Sequence, residues 1–164
     1  MTLGRPALVA WMVTTALGVV LLSKWLRRGG ISQVPRGARL AVGVPPSYFP
    51  PPLVFGHLLL ADVGLVVWIA YLLTNRGLLA WVAFAILGAV VLLGVSMFGR
   101  WVGSRRMRVT PPAAPAPDPE SRLPVLFKPG LAESRLPLLV VVAHGLVASS
   151  TVLLVFLTAI GYRL

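Results

Sequence analysis

The stretch LVFGHLLLADVGLVVWIAYLLT, residues 53–74, decides the fold of this chain. At ~1.5 Å of rise per residue, a helix of this length reaches about 33 Å and crosses a ~30 Å hydrocarbon layer. Two ionisable residues, His57 and Asp62, stand inside a run that is otherwise almost wholly apolar. The stretch therefore predicts a membrane-spanning helix whose polar groups have a purpose or are a tolerated defect.

The composition of the whole chain also points to lipid. Of 164 residues, 57% are hydrophobic and 12% are charged, whereas soluble domains carry about 25% charged residues. The absence of cysteine excludes disulfides, thiolate metal sites, iron–sulfur clusters and a cysteine nucleophile. The net charge of +11 comes from basic residues that flank apolar segments. We therefore expect anionic lipid headgroups, and not nucleic acid, as the partner of these cations.

The same hydropathy pattern predicts a single all-α transmembrane domain, an antiparallel bundle of four helices. The spans are predicted at 6–24, 53–74, 78–98 and 137–161, with long Pro-rich loops at 26–52 and 103–136. The first span exceeds the apolar core of a signal peptide and ends in SKWLRR, so we expect it to be uncleaved. The three-residue turn Asn75-Arg76-Gly77 makes the second and third spans antiparallel neighbours. The second loop contains PPAAPAPDPE, which is typical of flexible chain.

The distribution of charge predicts the orientation in the membrane. The two long loops hold most of the 15 basic residues. Positive charge stays on the cytoplasmic side, so both loops are predicted inside and both termini outside. The excess of arginine over lysine, with abundant Ala, Gly, Val and Pro, is typical of a high-G+C bacterial genome. We therefore expect a multi-pass protein of the bacterial cytoplasmic (inner) membrane.

The two halves of the sequence resemble each other. Each half has a span, a basic Pro-rich loop, a proline start and a span with one early histidine. Aligning the histidines sets HLLLADVGLVV against HGLVASSTVLL and pairs Ala61 with Ala148 and Asp62 with Ser149. Two spans per half would form parallel repeats about an axis along the membrane normal. Chance similarity between apolar segments is the alternative.

The two histidines are the first candidate site. His57 and His144 lie at similar predicted depths in the second and fourth spans, which suits two axial ligands of one haem b. Gly56 and Gly145 would then make room for the macrocycle. In the alternative, each imidazole hydrogen-bonds a neighbouring helix and contributes ~1 kcal/mol or less; metal or proton handling is a third possibility. Met97 could supply a thioether ligand, although packing is its commoner role.

The second candidate site surrounds Asp62, which lies near the predicted midplane. An exposed aspartate there costs ~2.5–3.5 kcal/mol, so it must face the bundle, form a pair or be protonated. The hydroxyls of Ser149, Ser150 and Thr151 lie at comparable depth and could donate to it, as could His144. Asp62 and His144 could form a proton relay, or Asp62 could be a hydrogen-bonded structural residue.

One resemblance supports this topology. The segment VVAHGLVASSTVLLVFLTAIG and the segment Trp81–Trp101, which contains GVSMFGRW, resemble a group of small four-span bacterial membrane proteins of unassigned function. The resemblance covers mainly spans two to four. It implies the four-span topology and carries no functional motif, so it implies no residue roles.

The sequence leaves three hypotheses for function. The chain has no Gly-rich phosphate loop, no H-E-x-x-H and no nucleophile elbow, and a self-contained hydrolase would be hard to assemble from its polar residues. We predict no catalytic residue and no further metal site. The leading hypothesis is a non-catalytic accessory or assembly component that packs with other membrane subunits or with itself. The alternatives are a haem-binding electron-transfer protein ligated by His57 and His144, and a small proton-coupled transporter component that uses Asp62.

Overall fold

The computed structural model describes residues 3–28, 31, 49–109 and 136–161, with side chains described to residue 103 in the third helix. These residues form four helices, α1 (Gly4–Arg27), α2 (Pro51–Thr74), α3 (Gly77–Val109) and α4 (Leu138–Ala159), and no strand. Each is long and apolar enough to cross a membrane, α3 over Gly77–Gly103. The all-α four-helix prediction is therefore confirmed, and the helices support a multi-pass membrane protein. The antiparallel order remains a prediction, and most of both predicted Pro-rich loops lies outside the described residues.

The helix bounds differ from the predicted spans most clearly at the end of α3. The hydropathy pattern predicts an end at residue 98, whereas the helix continues to Val109, so the first residues of the predicted loop 103–136 are helical. The segment from Gly99 to Val109 contains arginine and methionine, which favour helix, and no proline. Pro111 and Pro112 follow, and proline disfavours helical conformation at the residue before it.

Proline and asparagine define the ends of the other helices. Both α2 and α4 begin after a proline N-cap with extended backbone, Pro50 (ψ 129°) and Pro137 (ψ 125°). Helix α2 ends at Asn75, which adopts the left-handed conformation (φ 55°) and donates its N–H to the carbonyl of Tyr71 at 2.7 Å. Asparagine is among the few non-glycine residues that tolerate this conformation. Only Asn75 and Arg76 connect α2 to α3, so these two helices are neighbours.

The helices pack as two pairs, with small and aromatic residues between them. The most extensive interfaces join α2 to α3 and α1 to α4. One buried cluster lies toward the α2–α3 connection and comprises Ala7, Trp11, Trp68, Ala80, Ala83, Leu87, Val90 and Val155. A second cluster lies toward the opposite end and comprises Trp25, Phe49, Val54, Trp101 and Leu136. The outer faces are apolar and exposed, as lipid contact requires.

The packing repeats between the two halves of the chain. When α1–α2 is aligned on α3–α4 through the histidines and the tryptophans that precede the loops, most buried residues align with buried residues. The aligned buried pairs are Gly4 with Ala80, Ala7 with Ala83, Trp11 with Leu87, Trp25 with Trp101, Phe49 with Leu136, Gly64 with Thr151 and Trp68 with Val155. The helix interfaces repeat as well. The alignment places α1 on α3 and α2 on α4, so the α2–α3 interface corresponds to the α4–α1 interface, and these are the two most extensive ones. This agreement favours an internal duplication over chance similarity.

Candidate functional site

The imidazoles of the two histidines lie next to each other inside the bundle. The ring centres of His57 and His144 are 6.4 Å apart, and the ring planes are inclined by 59°. Both side chains are half-buried. His57 stands on α2 and His144 on α4, so helix packing alone brings them together.

Each imidazole is held by a backbone carbonyl on the neighbouring helix. Nδ1 of His57 lies 3.1 Å from the carbonyl oxygen of Val90, and Nδ1 of His144 lies 3.1 Å from that of Thr14. A carbonyl oxygen only accepts, so Nδ1 carries the proton and donates in both contacts. In the neutral imidazole Nε2 is then the unprotonated nitrogen, and no described hydrogen bond uses it. When neutral, both histidines therefore have a free lone pair for a ligand or metal.

A glycine one turn beyond each carbonyl makes space for the ring. A Cβ on Gly94 would lie 3.3 Å from Cε1 of His57, and a Cβ on Gly18 would lie 3.3 Å from Cε1 of His144. These distances are shorter than ordinary van der Waals contact, so a larger residue would displace each imidazole. A Cβ on Gly56 or Gly145, which the sequence suggested as space-making residues, would meet no heavy atom within 4 Å. Of these two, Gly145 lines the cavity described below.

The two imidazole sites are copies of each other. In each, a carbonyl (Thr14 or Val90) and a glycine one turn later (Gly18 or Gly94) hold the histidine of the other helix pair. The sequence LGV occurs in both glycine segments, at residues 17–19 and 93–95. The internal repeat therefore includes the candidate site as well as the core.

The imidazoles face a cavity of about 500 Å³ between the two buried clusters. All four helices contribute to its wall, and most of the lining surface is apolar. The lining includes Gly18 and Gly94, both histidines and Trp11. Its volume lies within the ~300–1,000 Å³ typical of small-molecule and cofactor sites.

The three hydroxyl groups at residues 149–151 of α4 each donate a hydrogen bond to a backbone carbonyl of their own helix. Ser149 donates to the carbonyl of Gly145 at 2.9 Å, Ser150 to that of Leu146 at 3.1 Å and Thr151 to that of Val147 at 2.9 Å. The Thr151 hydroxyl also lies 3.3 Å from the Thr14 hydroxyl. This contact joins α1 to α4 about two turns beyond His144 along α4. Ser149 and Thr151 line the cavity; Ser149 and Ser150 are exposed, and Thr151 is buried.

Asp62 lies outside this site. Its side chain is exposed on the outer face of α2, and it is not among the residues that line the cavity. Within the described part of the chain, no hydrogen bond or ion pair joins it to Ser149, Ser150, Thr151 or His144. The structure therefore does not place Asp62 beside the four residues that the sequence suggested as its hydrogen-bond partners.

The remaining candidate, Met97, belongs to the wall of the cavity. It packs against the cluster formed by Trp25, Trp101 and their neighbours and lines the cavity. Sequence reasoning missed the carbonyls of Thr14 and Val90 and the glycines Gly18 and Gly94. The repeated LGV was the available signal for the glycines, whereas a backbone carbonyl leaves no signal in sequence.

Among residues 3–28, 31, 49–109 and 136–161, no group of three or more His, Cys, Asp or Glu could hold a metal ion. The fold and site thus define an all-α, multi-pass membrane protein with paired imidazoles in an apolar cavity. No protein family, curated protein or solved structure matches this chain.

Proposed function

We propose that this protein binds one haem b between His57 and His144 and acts as an electron carrier in the membrane. The observation that carries the proposal is the 6.4 Å separation of the two ring centres. A metal–imidazole bond is about 2 Å and a ring centre lies about 1 Å beyond the bonded nitrogen, so two imidazoles that held one metal ion would have centres no more than about 6 Å apart. The observed separation lies close to this limit.

The hydrogen bonds of the imidazoles support the same function. Metal-bound histidines almost always donate their second N–H to a carbonyl or carboxylate, which fixes the tautomer and the ring orientation. The carbonyls of Val90 and Thr14 accept such bonds from Nδ1 of His57 and His144. Because the proton is on Nδ1, the Nε2 atom of each neutral imidazole can bind a metal without a change of tautomer.

The number of ligands favours haem over a bare metal ion. A structural metal ion such as zinc takes four protein ligands, and the described residues add no third His, Cys, Asp or Glu to the two imidazoles. A haem iron is bound mainly by its own macrocycle and would need no more than two ligands from the protein. His57 and His144, on facing helices of the bundle, would hold it.

The cavity supplies the surroundings that such a group needs. Its wall is mostly apolar and is provided by all four helices. Gly18 and Gly94 keep the backbone close to the imidazoles. When bound, the haem would supply one-electron chemistry, while the chain would hold it through His57 and His144. The apolar wall would favour the iron state of lower charge.

The accessory-component hypothesis explains part of the same geometry. The bond from His57 joins α2 to α3, and the bond from His144 joins α4 to α1. Such bonds alone stabilise helix association by ~1 kcal/mol or less each. They would not require the two rings to approach each other, and this approach is the reason for preferring the haem function.

The proposed setting is the bacterial cytoplasmic membrane, with both termini outside and the Pro-rich loops in the cytoplasm. The basic residues Lys24 and Arg27 in the last turn of α1, and Arg100 near the end of the apolar part of α3, support this orientation. Anionic lipid headgroups would then be their partners.

Absorbance of the purified protein tests the haem proposal. Protein from haem-replete cells should show a Soret band, reduced-minus-oxidised α and β bands, and one haem per chain by pyridine haemochrome. His57→Ala and His144→Ala should each lose at least about tenfold in haem affinity, since each removes one of two axial bonds. Free imidazole should partly restore the oxidised spectrum, because it can occupy the vacated position.

The matched control is Ser149→Ala, which changes a residue that lines the cavity but bonds only its own helix. It should keep the full haem content. Colourless wild-type protein that also fails to take up added haemin would overturn the proposal. Equal haem content in the two histidine variants and the wild type would overturn it as well.

A further inference from the structure

We infer that Asp62 marks a surface through which two copies of this chain associate side by side in the membrane, with α2 packed against α2. This inference is independent of haem binding, because Asp62 stands on the outer face of α2 and does not line the cavity. It rests on the exposure of a carboxyl group in the middle of a spanning helix.

The position of Asp62 is the first observation. It lies at the centre of the 24-residue helix Pro51–Thr74, about 16 Å from its start at ~1.5 Å per residue. Its side chain is exposed, and no described residue forms a hydrogen bond or ion pair with it. In a single copy this carboxyl group would therefore project into hydrocarbon, where a polar group has no partner.

The residues around Asp62 form the second observation. The positions that share its face alternate in steps of four and three residues, and every one is exposed. We call this face the α2 stripe; it comprises Phe55, Leu59, Asp62, Val66, Ile69 and Leu73. This spacing is the seam along which two helices pack with a small crossing angle. A single polar residue within such a seam fixes the register and favours a defined number of helices.

The other half of the bundle provides an internal comparison. The repeat places the equivalent stripe on α4, which comprises Val142, Leu146, Ser149, Leu153, Phe156 and Ile160, also all exposed. There the central residue is Ser149, which unlike Asp62 also lines the cavity. Its hydroxyl donates to the carbonyl of Gly145 on the same helix. The α4 stripe is thus compatible with lipid as it stands, whereas the α2 stripe contains a carboxyl group that is not satisfied.

A second copy is the occupant that best fits the α2 stripe. Another copy inserts with the same orientation and depth, so a two-fold axis along the membrane normal brings its Asp62 to the same level automatically. A hydrogen bond between the two Asp62 side chains would give each of them a polar partner within the bilayer. The flanking apolar residues would pack on their counterparts. The described spans place no lysine or arginine at this depth for a charged pair.

Cysteine cross-linking in vesicles tests this arrangement directly, because the natural chain has no cysteine. Leu59→Cys and Val66→Cys lie one turn on either side of Asp62 and are 67% and 66% exposed in the wild type. Both should form disulfide-linked dimers under mild oxidation. The matched controls are Leu146→Cys and Leu153→Cys at the equivalent positions on α4, 66% and 57% exposed. They should cross-link at least about tenfold less, since their stripe faces lipid.

The second measurement removes the carboxyl group. Energy transfer between two labelled populations measures dimerisation. Asp62→Leu should weaken the dimer about tenfold, because leucine cannot form the hydrogen bond between the two copies and is itself compatible with lipid. Asp62→Asn should retain the dimer, because an amide can also donate and accept. The Soret band should be the same in all these variants, which separates this test from that of the haem site.

Three results would overturn the inference. The first is a monomeric wild-type protein at high protein-to-lipid ratio. The second is cross-linking through α4 that equals or exceeds cross-linking through α2. The third is a dimer of undiminished strength in Asp62→Leu. A dimer that forms through α2 and weakens in Asp62→Leu would support it, whether or not the protein binds haem.

Discussion

The imidazole of His57 lies 6.4 Å from that of His144, although the two residues are on different helices in different halves of the chain. Each ring donates a hydrogen bond to a backbone carbonyl on the neighbouring helix, and each lies next to a glycine. The paired rings thus depend on close approach of α1 to α4 and of α2 to α3.

Replacing either glycine beside an imidazole should disturb the site. Gly94→Val or Gly18→Val would place atoms in the space that His57 or His144 occupies, since even a Cβ would lie 3.3 Å from the ring. We expect a loss of ~1–3 kcal/mol in stability, as for other over-packed positions, and a lower haem content. Unfolding in mixed micelles and the Soret absorbance measure the two effects. Gly88→Val on the same helix is the control, because a Cβ there meets no atom within 4 Å; equal losses at Gly88 would contradict the argument.

The contact between Gly64 and Trp11 should limit how close α2 can come to α1. A Cβ on Gly64 would lie 3.0 Å from Cζ2 of Trp11 and 3.1 Å from Cγ2 of Ile86. Gly64→Ala should therefore lower stability by ~1–3 kcal/mol, despite the higher helix propensity of alanine. Thermal inactivation or unfolding in micelles would measure this. Gly56→Ala on the same helix meets no neighbour, and it should leave stability equal or slightly higher.

Asp62 should not carry protons through the bundle. It is exposed on the outside of α2 and lies outside the cavity that contains His144. We therefore expect Asp62→Asn to leave proton flux through reconstituted vesicles unchanged, as reported by an internal pH-sensitive dye. The transporter hypothesis predicts the opposite result, a loss of flux with assembly intact. Such a loss would establish Asp62 as a proton-carrying residue.

The charge distribution predicts which side of the membrane each connection occupies. In intact cells, a membrane-impermeant thiol reagent should label Asn75→Cys at the α2–α3 connection. The same reagent should not label Ser32→Cys or Ser121→Cys in the two Pro-rich loops until the cells are opened, because those basic loops are predicted to be cytoplasmic. The natural absence of cysteine gives each variant a single reactive position. Labelling of Ser32→Cys in intact cells would reverse the orientation.

Part of the candidate site could be predicted from the sequence. The predicted depths of His57 and His144 follow from counting residues along the apolar runs, so the sequence alone predicts that the two lie at a similar depth. The groups that hold them were not, because the carbonyls of Thr14 and Val90 are backbone atoms. Gly18 and Gly94 were hidden for another reason: in membrane helices glycine commonly serves close packing, and its partner cannot be read from its own position.

The sequence by itself determined the four helices and most of their ends. Long apolar runs, the prolines before α2 and α4 and the short Asn75–Arg76 connection act locally and are readable in order along the chain. The sequence could not determine which side of each helix faces inward. These helices are apolar on nearly every side, so hydropathy does not distinguish a core face from a lipid face. Only the tertiary packing turned the two imidazoles toward each other and left Asp62 on the outside, because close contact between small residues decides which faces meet.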